Sequence, residues 1–79
     1  MNKPRVGQTL EGDPKPIVLD WRDDGLSEEG YIVICIIPSR GEFAVWWMNA
    51  QAETFYGHYF NSLESAMIDL NDRAAEGGN

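Results

Sequence analysis

From Ile17 onward apolar residues recur at every second position, and from Asn61 onward at every third or fourth. That change from a period of two to one near 3.6 predicts strands followed by a helix. In IVLDW (17–21), Ile17, Leu19 and Trp21 alternate with Val18, Asp20 and Arg22, as in a short edge strand. YIVICIIP (31–38) is β-branched and apolar on both alternating sets, which suits a central strand, and Pro38 stops it. SRGE (39–42) reads as a turn and FAVWWMN (43–49) as the antiparallel return strand. AQAE (50–53) is a further turn, and TFYGHYF (54–60) is the next strand of the meander. Asn61 offers an N-cap with Glu64 three residues later. Leu63, Ala66, Met67, Leu70 and Ala74 then form one helical stripe, and Gly77 is a natural C-cap.

The expected fold is therefore α+β: an antiparallel sheet of three to four strands with one C-terminal helix packed on one face (β-β-β-β-α). Residues 1–15, with Pro4, Gly7, Gly12 and Pro14 and no apolar period, read as a mobile or loosely docked arm. Residues 16–79 form a single domain. One helix covers only one face of such a sheet, yet the strands are apolar on both. Phe43, Val45 and Trp47 point one way, and Ala44, Trp46 and Met48 the other. The same alternation sends Phe55 and Tyr59 to one side and Tyr56 and Phe60 to the other. A set such as Trp46, Met48, Tyr56 and Phe60 left in water exceeds the apolar patch of most monomers. Either the arm with strand 17–21 covers it, or a second chain does. Trp46 and Tyr56 are the expected apolar anchors in the second case.

Charge narrows the class of partner. Thirteen acids against six bases give the 79-residue chain a formal net charge of −7. A field of that sign repels nucleic acid and anionic membrane and attracts basic proteins. The acids gather in two places. Asp20, Asp23, Asp24, Glu28 and Glu29 lie in DWRDDGLSEEG, and Asp69, Asp72 and Glu76 fall on a helical wheel opposite the Leu63/Met67/Leu70 stripe. One reading is a solvated acidic surface; the other is a surface that imitates phosphate charge and occupies the Arg/Lys groove of a nucleic-acid-binding protein.

Catalytic chemistry finds little to work with. His58 is the only histidine, with no sequence signature pairing it to a nucleophile, and reads as a half-buried structural residue. Cys35, flanked by isoleucines in the central strand, reads as a buried inert thiol, and as the only cysteine it can form no internal disulfide. An EF-hand frame on Asp20 fails, because Arg22 sits at position 3 and Tyr31 at position 12. Phosphate-loop and dinucleotide glycine patterns are absent. The expectation is a non-enzyme with no cofactor and no metal. With no secretory signal and no membrane-length apolar run, a cytoplasmic location is expected.

Two resemblances follow from these residues. GYIVICIIPSRGEFAVWWMN, a further strand and then SLESAMIDLNDRA (residues 30–75) resemble in outline the HicB-type antitoxin domain, with LESA where that family carries a doubled acid. That resemblance implies a regulatory protein pairing through its sheet, as a homodimer or a toxin neutraliser. In size, acidity and aromatic content the chain is also similar to phage-encoded anti-defence inhibitors, anti-CRISPR proteins among them. Their likeness implies a binding inhibitor of a basic host protein, such as a nucleic-acid-binding effector complex, within the host cytoplasm.

Overall fold

The computed structural model describes residues 3–12, 14–25 and 30–78. Strands β1 (Ile17–Asp23), β2 (Tyr31–Ile37), β3 (Glu42–Met48) and β4 (Thr54–Phe60) precede a helix, α1 (Leu63–Gly78). The strands form one antiparallel sheet in the order β1-β2-β3-β4, so the fold is the α+β meander with a C-terminal helix that the hydrophobic periods predict. β2, the most apolar strand, lies inside the sheet, where both of its faces are covered. The β2–β3 turn closes with the Arg40 and Gly41 amides both donating to Ile37 O, and Gly41 takes a left-handed φ of 62°. The β3–β4 loop is organised by Asn49, whose Oδ1 accepts from the Gln51 and Glu53 amides.

Two β-bulges change the alternation read from the sequence. In β1, Val18 pairs with Cys35 and Asp20 with Ile34, so Leu19 is an extra residue. Leu19 therefore packs on the helix side while Trp21 turns to the other side, where its ring meets Tyr31 edge-on. In β4, Val45 pairs with His58 and Trp47 with Phe55, so Tyr56 and Gly57 together oppose Trp46. The expected sharing of one face by Phe55 and Tyr59 fails for this reason: Phe55 lies against Trp47, and Tyr59 against Trp46. Nor do Trp46, Met48, Tyr56 and Phe60 form one set. Trp46 and Met48 are buried on one side, while Phe60 packs on the opposite, helix-covered side.

The helix starts one residue later than the Asn61/Glu64 pair suggests. Ser62 is the cap: its Oγ accepts from the Ser65 amide and its carbonyl from the Ala66 amide. At the other end α1 runs through Gly77 to Gly78, so Gly77 is not outside the helix. Ala66 and Leu70 are fully buried against Ile32, Ile34 and Val45, with Met67 at the margin. Leu63, the first member of the predicted stripe, remains exposed.

The second face of the sheet is covered by the chain's own N-terminal segment. Along the outer edge of β1, the Gly7 amide donates to Val18 O and the Val18 amide to Gln8 O. The Leu10 amide donates to Pro16 O, and Thr9 forms an isolated bridge with Ile17. Leu10, only 4% exposed, joins Val18, Tyr31, Val33, Cys35, Ile37, Ala44, Trp46 and Met48 in one apolar cluster. The 79-residue chain thus builds two thin cores, one on either side of a single sheet.

Candidate binding surface on the open sheet edge

The acids that composition groups together are dispersed by the fold. Asp24 is 2% exposed, and its carboxylate accepts the Trp47 Nε1–H at 2.8 Å across the sheet. It is a structural residue and not part of an accessible acidic surface. Asp20 accepts from Arg22 Nη1 at 2.9 Å and from the Trp21 amide. Burial alone would raise its carboxyl, yet these hydrogen bonds and the Arg22 charge hold it below its ordinary value. Asp23 is exposed. Glu28 and Glu29 lie outside the described residues.

On α1, Asp72 is exposed, and Glu76 lies in the last turn, outside the described side chains. Asp69 turns toward the sheet, opposite to expectation, where His58 and Arg73 face it. His58 Nδ1 lies 3.1 Å from one of its oxygens and Arg73 Nη1 3.8 Å. Arg73 also donates to Val45 O, tying the helix to β3. His58 itself is exposed and not half-buried, since β4 is the last strand of the sheet.

The two sheet edges differ. β1 is shielded by the arm, whereas β4 pairs only with β3 among the described strands. Its sequence, TFYGHYF, carries no acid, lysine, arginine or proline, the residues that ordinarily discourage pairing at an edge. Phe55, Tyr56 and Tyr59 are 40%, 79% and 51% exposed. At the bulge Tyr56 adopts φ 57°, a left-handed conformation costing a side-chain-bearing residue on the order of 1–2 kcal/mol. The Tyr56 ring is left exposed at the edge beside Phe55. Of the two predicted anchors, Tyr56 is therefore on the surface and Trp46 is interior. Phe55 and Tyr59, which the sequence reading did not single out, join Tyr56.

From Gly41 through Asp72 the chain carries Glu42, Glu53, Glu64, Asp69 and Asp72 and no lysine or arginine. The open edge is thus an aromatic strip with no acid, lysine or arginine of its own, with acids on the neighbouring segments and Arg73 beside Asp69. Beside it, between the arm and β4, a cleft of about 230 Å³ is lined by Trp46, Tyr59, Glu11, Pro14 and Pro16, among others.

Cys35 is fully buried, and burial pushes its thiol up to about 12. Among the described residues no group of three or more His, Cys, Asp or Glu side chains could hold a metal ion. No helix among them is long and apolar enough to cross a membrane. Compared with known proteins, the chain is matched by no family model, no curated protein and no solved structure.

Proposed function

We propose that this protein is a non-enzymatic binding protein that inhibits or regulates a basic partner by pairing an extended segment of that partner with β4. The observation that carries the reading is the unguarded β4 edge, with Phe55, Tyr56 and Tyr59 exposed on it. Main-chain hydrogen bonds to an edge strand supply affinity in this mode, and side chains on alternate sides supply specificity. The surrounding acids raise the association rate with a basic chain, while the aromatic contacts lengthen residence. Charge also disfavours a second copy as the occupant, because two molecules of net charge −7 would approach one another against repulsion. An inhibitor of the phage anti-defence type, occupying the nucleic-acid groove of a host effector, fits this mode of action.

Titrating the protein with an extended cationic peptide of alternating lysine and valine tests the proposal by amide shifts. The largest shifts are expected over Thr54–Phe60, with binding that weakens steeply between about 50 and 500 mM salt. Tyr56→Lys is expected to weaken the complex about tenfold, the loss typical of an anchor residue. Asp23→Lys, remote from the edge, should change it little. Shifts confined to the Asp20–Asp23 region, equal binding of a glutamate–valine peptide, or a dimer in sedimentation that Tyr56→Lys dissolves would each overturn the reading.

A further inference from the structure

The cleft between the arm and β4 has a chemistry of its own. Trp46 and Tyr59 meet there at 90° with ring centroids 5.9 Å apart, so two ring systems stand at right angles along its wall. Pro14 and Pro16 close the arm side with saturated rings, and Glu11 is an exposed carboxylate among the lining residues. Among the described residues, no lysine or arginine lines the space. Gly57 is what lets the indole sit in this position: a Cβ there would come within 2.4 Å of Trp46 Nε1.

We propose that this cleft is a subsite for an alkylammonium group, in the docking mode above the side chain of a lysine in the partner segment. Aromatic rings present negative faces, and a cation within about 6 Å of a centroid is attracted to them. Perpendicular rings with proline walls surround the methylenes or N-methyls of such a group, and Glu11 adds an opposite charge. The same features disfavour an anion. A lysine stem is long and flexible enough to cross β4 from a strand added at its edge, where neighbouring strands lie about 4.8 Å apart. The cleft's preference for ammonium stands on its own lining. Only the assignment of the lysine to a partner segment rests on the reading of β4.

Choline and its uncharged isostere 3,3-dimethylbutan-1-ol, titrated separately into the full chain, test this directly. Choline is expected to give saturable shifts of the Trp46 indole N–H and to bind roughly threefold or more tighter than the alcohol. Tyr59→Leu and Glu11→Gln, each with its thermal midpoint checked, should reduce choline binding and leave the alcohol's unchanged. Equal affinity of the two probes would reduce the site to a plain apolar cleft and overturn the proposal, as would the absence of a saturable Trp46 shift. Tyr56→Lys separates the two claims, since it should weaken segment docking about tenfold and leave choline binding intact. Choline binding without segment docking refutes the edge reading alone. Segment docking without choline binding refutes the subsite alone.

Discussion

At the scale of single residues, Gly57 and Trp46 show how a large side chain is admitted into a thin core. The β4 bulge places Gly57 opposite the indole, and an added methyl would meet Nε1 at 2.4 Å and Cδ1 at 2.7 Å. A buried indole has no free end to swing away, so Gly57→Ala must displace the ring or the strand. Overpacking of this kind costs about 1–3 kcal/mol. Each kcal/mol is about 4–8 °C in a domain this size, so calorimetry should show a clear drop in the midpoint. Cys35 responds to pH. Its folded thiol titrates above the ordinary 9.0, near 12, because the buried thiolate is desolvated. A raised value means that the stabilisation is complete below pH 9, where the thiol is neutral in both states, and is lost as pH climbs from 9 toward 12. Denaturant midpoints should fall over that window in the wild type and much less in Cys35→Ala. Native protein at pH 8 should react with a thiol reagent only as fast as it opens. Asp24, by contrast, was not legible as structural: within DWRDDG it looks like one more loop acid, and nothing nearby in sequence announces the Trp47 N–H that it meets.

At the scale of elements, periodicity located every strand and the helix because each buried face must repeat at the pitch of its element. β2 needed no partner information, being apolar at every position. The bulges at Leu19 and Tyr56–Gly57 were not readable, since inserting one residue leaves composition and run length unchanged and alters only which side chains face which core. That single effect misassigned Trp21, Phe55 and Phe60, whereas Trp46 looked like a surface anchor because the arm's cover over its face was not readable. The cap failed by one step for a related reason. Asn61 and Ser62 are both good N-caps, and the choice depends on where β4 releases the chain. The exposed edge was equally hidden, because strand order decides it and TFYGHYF would serve as well inside a sheet. The aromatic content of the candidate surface was therefore legible, whereas its location was not.

At the scale of the whole molecule, the arm decides whether the sheet has one exposed face or none. Its amide bonds to β1 are few, and Leu10 is its deepest apolar contact. A chain of 79 residues has little stability to spare, so covering Val33, Cys35, Ile37 and Met48 matters more than the number of hydrogen bonds suggests. Leu10→Asp asks whether that cover is separable. An aspartate cannot stay charged in an apolar pocket without a partner, so the arm must leave or the pocket must admit water. The expected outcome is an undocked arm on a surviving sheet. The Gly7, Leu10 and Val18 amides, which donate across the arm–β1 seam, should lose hydrogen-exchange protection, while Ile34 and Val45 amides keep theirs. Dye binding should rise as the arm-side cluster is wetted. Choline affinity should fall in parallel, because Glu11 and Pro14 leave the cleft with the arm. If the protection of all five amides collapses together, the arm is instead an integral layer of one cooperative fold, and the sheet cannot stand without it.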